Sequence, residues 1–357
     1  MSKMWVLGAG QLGAMMRHAA TPLNIEVEPV DFNKEQTLQL SADDVVTAEI
    51  EMWPETTATQ QLAAHTNFIN KNVFPRLADR FTQKQLLDEL QIATAPWQLV
   101  EAQTTAEQLY TNIGDTVLLK RRTGGYDGRG QFWLKQAEST EVPDGWHEQA
   151  IAEKKIPFDE EVSIVGVRDN AGKMYFYPLT LNLHVNGILM ASISPLARLK
   201  KLQSEAESML GKLLSSLDYV GVMAMECFRV GDKLMVNELA PRVHNSGHWT
   251  QSGASVSQFE YHVRAVTGLP LAEPVIKGQS VMINLIGVTR DDRWIAVPGA
   301  QLYWYGKEVR DGRKVGHINL TMNDQPKLAS SLAELKAYFP EPYPQVFAWV
   351  ANNLPQH

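Results

Sequence analysis

Two strand-like runs flank Gly231-Asp232-Lys233, and each carries one glutamate, Glu226 before the turn and Glu238 after it. The alternation of side chains constrains this segment to a β-hairpin, and a three-residue loop pairs Val230 with Leu234 and therefore Glu226 with Glu238. Directly opposed strand residues have Cα atoms only ~4.5–5.5 Å apart. On that register Val222, Ala224, Glu226 and Phe228 share a face with Val236, Glu238 and Ala240, so both acids interrupt an apolar surface. Two like charges left there without partners would be costly. A hard divalent cation removes the conflict, because Mg²⁺ takes one or two carboxylates and fills its other positions with water and phosphate oxygens. A one-sided sheet with both acids in solvent is the competing reading.

A chain of 357 residues, 44% hydrophobic and 20% charged, can bury a large core and divides naturally into two or three domains. Its net charge of −7 offers no footprint for nucleic acid or an anionic membrane, which leaves small-molecule substrates. Cys227 is the single cysteine, which excludes an intrachain disulfide; on the strand face opposite Glu226 it reads as core packing. No apolar run reaches the ~18–20 residues of a membrane span, and the first residues read as a strand rather than a signal segment, so the expected location is the cytoplasm.

Residues 4–31 read as strand, glycine turn, helix and second strand, and a third strand runs to Glu49 and Glu51. Residues 74–90 carry one helical pattern, followed by a Pro-containing junction. The strands TVLLK and FWLKQ and those that succeed them indicate an antiparallel sheet rather than a further βαβ unit. Helices are expected over 203–218 and 328–338, with shorter strands from about Pro270. The partition is 1–95, 96–270 with a flap subdomain at about 96–165, and 271–357.

Gly8-Ala9-Gly10-Gln11-Leu12-Gly13 matches the dinucleotide fingerprint and is followed by Asp31 at a strand end. A nicotinamide dehydrogenase, another phosphate ligand and a purely structural turn all remain compatible with it. The second glycine loop, Lys120 to Gln131, lies between two strands and lacks the helix and Lys-Ser/Thr of a P-loop. Its exposed amides, with Lys120 and Arg129, suit a triphosphate under a mobile lid, against the alternative of a basic surface loop. Glu153-Lys154-Lys155-Ile156 ends a strand whose main chain can meet an adenine edge, with Glu161 within reach of ribose. Arg242, His244 and Asn245 follow the hairpin directly, and Lys307, Arg310, Arg313 and Lys314 form a basic cluster that is either a phosphate site or a solvated face.

Taken together, Lys120, the flap GGYDGRG, Glu226, and Asn237-Glu238 followed by APRVHNSGHW resemble the ATP-grasp carboxylate–amine ligases. The likeness extends over nearly the whole chain through GAGQLG, TAEIE, ADRFTQKQ and GRKVGHINL, and is strongest to members acting in purine biosynthesis. It implies an α/β and α+β architecture: an ATP-grasp fold with an N-terminal Rossmann-like parallel α/β domain, whose glycine turn receives a ribonucleotide phosphate, and a small β-rich C-terminal domain. It also implies that ATP and bicarbonate form carboxyphosphate, whose carboxyl group is captured by the amine of 5-aminoimidazole ribonucleotide. Related ligases that use formyl phosphate, or that carboxylate biotin, share the grasp but take other nucleophiles.

By this resemblance Lys120, Arg80 and the backbone of Gly125, Tyr126, Asp127, Gly128, Arg129, Gly130 and Gln131 hold the ATP phosphates. Glu153, Lys154, Lys155, Ile156, Glu161 and His184 take adenine and ribose, Asn237 completes the nucleotide site, and Glu226 and Glu238 hold Mg²⁺. Tyr126, Asp127, Arg129, Arg242, His244 and Lys314 surround the reacting groups, with Asp127 and His244 as alternative proton acceptors. Gln11, Leu12, Glu49, Asn245, Arg313 and Lys314 grip the ribonucleotide. A homodimer is implied as well.

Overall fold

The apolar run Lys3–Leu7 becomes the middle strand of a parallel three-stranded sheet, flanked by Glu26–Val30 and Val45–Ala48. The computed structural model describes residues 2–125 and 129–355. Met4, Val6 and Leu7 are fully buried because helices cover both faces of a parallel sheet. The helix Gln11–Ala20 starts directly after the first glycine turn and packs Met15, Met16 and Ala20 inward. The third strand stops at Ala48, short of the expected end, and the chain leaves the sheet with Glu49 and Glu51 at the cavity described below.

The helical pattern of 74–90 is two helices, Val73–Ala78 and Arg80–Glu89. Asp79 separates them in an extended conformation, with φ −94° and ψ 114°. Its carboxylate accepts the Phe81 amide at 2.9 Å, capping the second helix, and is gripped by the Arg122 guanidinium.

An antiparallel four-stranded sheet follows, in the order Trp97–Leu99, Ala150–Lys154, Thr116–Arg121, Gln131–Lys135. The largest sheet is also antiparallel and runs Lys233–Ala240, Gly221–Val230, Glu160–Arg168, Thr180–Val185, Ile188–Ser194, Gln279–Ile286, Lys314–Met322, Ala300–Trp304. The strand Gln279–Ile286 pairs directly with Ile188–Ser194, so a boundary near residue 270 falls inside one continuous sheet. One buried apolar cluster reaches from Val73 to Leu354, and it includes Leu77, Leu86 and Leu87 from the two helices assigned by sequence to the N-terminal domain.

The acid hairpin has a shorter loop than its sequence suggests. Val230 pairs with Lys233 across a two-residue Gly231-Asp232 turn, with Gly231 at φ +60°. A β-bulge then absorbs one residue, so Cys227 opposes Val236 while Glu226 opposes Glu238. The glutamates are paired as expected, but Asn237 is the extra residue and Val236 turns to the other face. There it joins Met225, Cys227, Leu234 and Leu239 in the core, while Asn237 and Glu238 together face a cavity.

His262 fastens the N-terminal sheet to the largest one. Its Nδ1 accepts the Val222 amide at 3.1 Å, which leaves the ring proton on Nε2, 2.9 Å from Thr47 Oγ1.

Candidate active site

Two cavities meet at Glu238, Arg242 and His244. The first, about 590 Å³, lies between the N-terminal sheet, the flap base and the end of the largest sheet, and is lined by Gln11, Leu12, Glu49, Glu51, Arg80, Gly125, Asn245 and Lys314. The second, about 420 Å³, lies between the four-stranded sheet and the acid hairpin. Lys120, Gln131, Glu153, Lys154, Lys155, Ile156, Glu161, His184, Glu226 and Asn237 line it. Most of the site residues expected from the sequence line one or other of these cavities. Tyr126, Asp127 and Gly128 lie outside the described residues. Arg129, Gly130 and Arg313 line neither cavity, and Arg313 directs its guanidinium at the Glu308 carbonyl, 3.5 Å away.

In the second cavity Lys120 Nζ sits 2.7 Å from Glu153 Oε2 and 3.0 Å from Asn237 Oδ1. The Glu153 side chain is taken up by lysines, because its other oxygen lies 2.5 Å from Lys84 Nζ, which leaves its main chain as the part that can meet a ligand. Burial opposes its ionisation, but the two lysines overcome that and hold its carboxyl at about 2. Glu161 pairs with His184 Nδ1, and His184 Nε2 stands 4.0 Å from Glu226 Oε1. Phe158 and Phe228 stack at 4.5 Å and Trp133 is 46% exposed at the cavity edge. These aromatics went unassigned from sequence; an exposed Trp and Phe flanking a glycine loop and a strand end are the signal for a planar ligand.

Glu226 is the electrostatic outlier. Burial pushes its carboxyl up to about 7, with His184 pulling it down and Glu238 pushing it further up. Such a pair is short of positive charge, so the donor set fits a hard divalent cation. Among the described residues no cluster of three or more His, Cys, Asp or Glu could hold a metal, so phosphate and water oxygens would have to complete the sphere of the two glutamates.

Arg80 ties the flap base to this centre: it donates to the carbonyls of Arg121 and Gly125, both at 2.9 Å, and lies 3.5 Å from Glu238 Oε1. Arg242 is 3.2 Å from Glu51 Oε1, a half-buried partner that the sequence alone does not announce. Lys314 donates to Asn245 Oδ1, and Lys307 reaches Gln11 Oε1 at 2.5 Å. His244 stays neutral because burial, then Arg242, His184 and Lys314, lower its pKa well below the ordinary value. Its Nδ1 accepts the Ser246 amide at 3.3 Å, which puts the proton on Nε2.

The first glycine turn is filled from within. The amides of Gly10 and Gly13, at the start of a helix, both donate to the Glu49 carboxylate, the latter at 2.5 Å. A Cβ on Gly8 or Gly10 would come within 2.4 or 2.8 Å of Glu49. The glycines therefore admit Glu49, and the anion position expected for a substrate phosphate or a pyrophosphate already holds a carboxylate. Asp31, which a dehydrogenase would aim at ribose, instead bonds Asn33 and Lys34.

Comparison with known proteins agrees with this geometry. Residues 85–259 match the ATP-grasp domain and residues 280–331 the phosphoribosylaminoimidazole carboxylase C-terminal domain. An N5-carboxyaminoimidazole ribonucleotide synthase of Haemophilus influenzae is 51% identical over 352 residues, 98% of this chain and 97% of that protein. The chain belongs to the N5-carboxyaminoimidazole ribonucleotide synthase family. The crystal structure of the Thermus thermophilus synthetase superposes with a TM-score of 0.84 at 37% identity, covering 95% of this chain and 99% of that one. An Aspergillus clavatus N5-carboxyaminoimidazole synthase in complex with ADP and 5-aminoimidazole ribonucleotide superposes with a TM-score of 0.80 at 26% identity, covering 94% and 97%. The protein is an ATP-grasp ligase of the N5-carboxyaminoimidazole ribonucleotide synthase family with two adjoining cavities, and the nicotinamide dehydrogenase reading is set aside.

Proposed function

We propose that the protein uses ATP and bicarbonate to carboxylate the exocyclic amine of 5-aminoimidazole ribonucleotide, giving N5-carboxyaminoimidazole ribonucleotide, ADP and phosphate in purine biosynthesis. The observation that carries this reading is the shared wall of Glu238, Arg242 and His244, where a phosphoryl group from one cavity can meet a nucleophile from the other. In the second cavity the nucleotide base packs among Phe158, Phe228 and Ile156, while Glu161 and His184 face the ribose. Lys120, Arg80 and the flap amides hold the phosphates. Mg²⁺, held by Glu226 and Glu238, would neutralise charge on the transferring phosphoryl group.

A bicarbonate oxygen attacks the γ-phosphorus and ADP departs, giving carboxyphosphate. Its breakdown releases phosphate and CO₂, and the amine nitrogen adds to the carbon and loses a proton. Arg242 and Lys314 stabilise the anions. His244, neutral with its proton on Nε2, serves as a hydrogen-bond donor, so Asp127 is the proton acceptor in this reading. The ribonucleotide lies along Gln11, Leu12, Glu49 and Asn245. Its phosphate is assigned to Lys314, which lines this cavity, with Lys307 beside it on Gln11, rather than to the glycine amides that Glu49 occupies. We also infer a cytoplasmic homodimer from family membership; no helix among the described residues is long and apolar enough to cross a membrane.

ADP release should require ATP, bicarbonate and 5-aminoimidazole ribonucleotide together, and omitting any one in turn should abolish it. Turnover with formate in place of bicarbonate, and glycinamide ribonucleotide as acceptor, would replace this reading with that of a formyl transferase.

A second measurement tests where the ribonucleotide sits. Gly10→Val forces Glu49 aside and should weaken the ribonucleotide by about tenfold or more in calorimetric titrations, with ATP affinity changed by less than about twofold. Unchanged ribonucleotide affinity in a folded Gly10→Val protein would remove the substrate from this cavity.

A further inference from the structure

Lys120 lines the second cavity and is the cation assigned above to the nucleotide phosphates, yet its ammonium already rests 2.7 Å from the Glu153 carboxylate. A buried lysine matched one-to-one with a buried carboxylate has little net field left for an anion, because the two charges nearly cancel at a few ångströms. The structure supplies a second lysine that changes the count. Lys84 Nζ lies 2.5 Å from the other oxygen of Glu153, and the three side chains are each at most 8% exposed. Two ammonium groups and one carboxylate leave one positive charge on the group.

Lys84 itself borders neither cavity. Its ammonium also meets Thr94 Oγ1 at 2.5 Å, and the Thr94 hydroxyl donates to the Val236 carbonyl at 2.7 Å, just before the bulge that presents Asn237 to Lys120. The helix Arg80–Glu89 thus delivers two cations one turn apart, Arg80 onto the flap base and Lys84 behind Glu153. Burying an extra charge at a position that touches no ligand is expensive, and a neutral Glu153–Lys120 pair would satisfy the fold without it.

We propose that Lys84 is a positioning residue for nucleotide binding: it neutralises Glu153 from behind, so that the charge of Lys120 stays directed at phosphate in the cavity. The inference rests on the reading of the second cavity as the nucleotide site. The consequence is specific to anionic ligands, since adenosine fills the same base and ribose contacts without phosphates.

The surroundings of Lys84 also give it a titration of its own. It faces Glu153 from the strand Ala150–Lys154, Lys120 from the strand Thr116–Arg121 and Asp88 on its own helix. Burial lowers its pKa, Glu153 opposes that, and Lys120 adds to it. Loss of its proton on the alkaline side therefore removes the surplus charge.

The test compares Lys84→Met, which keeps the length and deletes the charge, with Lys84→Arg, which keeps the charge and does not titrate in the accessible range. Calorimetry with ATP–Mg²⁺ and with adenosine should show ATP weakened by about tenfold or more in Lys84→Met and adenosine changed by less than about twofold. Lys84→Arg should recover most of the ATP affinity and carry the alkaline fall of that affinity to higher pH. Equal ATP affinity in Lys84→Met and the parent, or parallel losses of ATP and adenosine, would overturn the proposal. So would an alkaline limb unmoved in Lys84→Arg, which decides the matter even where Lys84→Met does not fold. A parent protein that binds no ATP would instead remove the nucleotide reading beneath it.

Discussion

Glu226→Gln should reduce ATP-dependent ADP release by about 10²–10³-fold at saturating ATP while the protein folds normally. The glutamine keeps the shape and removes one charge from the pair that opposes Glu238 across the hairpin. Its effect on stability runs the other way. The Glu226 carboxyl stands at about 7 in the folded protein against an ordinary value of 4.5. Between those values the folded state holds a proton that the unfolded state has released, so this group makes stability fall as pH rises from 4.5 to 7. At 1.36 kcal/mol per pKa unit the penalty above pH 7 is of order 3 kcal/mol. Glu226→Gln should therefore unfold at a higher urea concentration than the parent at pH 8, without ligand, and at nearly the same concentration at pH 4.5. Normal turnover in the variant at high Mg²⁺ would reject the metal assignment, and an unchanged urea midpoint at pH 8 would reject the burial argument.

The second large effect belongs to His262. Burial holds its imidazole at about 4, against 6.5 for an exposed ring. Between those values the unfolded chain takes up a proton that the folded protein refuses, so stability is fully present above pH 6.5 and falls as the pH drops towards 4. The contribution lost is again of order 3 kcal/mol. His248 and His317, also buried and held well below the ordinary value, push in the same direction. A glutamine at 262 can still accept the Val222 amide and donate to Thr47 but does not titrate. His262→Gln should be modestly less stable than the parent at pH 7.5 and should lose much less stability between pH 6.5 and 4. Parallel stability–pH curves for the two proteins would exclude His262 as a source of acid sensitivity.

Much of this molecule could be read in its residues because the informative segments carry their chemistry locally. The pairing of Glu226 with Glu238, the flap between two strands and the run from Arg242 to Asn245 are each set by neighbours in sequence. The hairpin still shows how a correct pairing can follow from an incorrect loop: a turn one residue shorter and a bulge one residue longer cancel. The misread features are those decided at long range. The part the Glu153 carboxylate plays between Lys84 and Lys120 is not legible, because nothing near it in sequence announces either lysine. The glycine turn reads as a phosphate site because Glu49, the carboxylate that fills it, enters from just past the end of the third strand, far along the chain. Likewise the break at Asp79 is fixed by Arg122, more than forty residues away.

The bulge at Asn237 has a consequence for how the site tolerates change. A regular strand shows alternate residues to each side, so two neighbours in the chain never serve one ligand. Here the parity is broken once, and consecutive residues, Asn237 on Lys120 and Glu238 opposite Glu226, face the same cavity. A single-residue deletion at Asn237 would restore a regular ladder from Lys233 onward and leave every other side chain chemically intact. Glu238 would keep its place opposite Glu226, yet the amide partner of Lys120 would vanish, leaving it Glu153 alone of the two, and Val236 would directly precede the acid. The hairpin thus encodes its spacing by number as well as by kind, and length changes between residues 231 and 240 should be far less permissible than substitutions there.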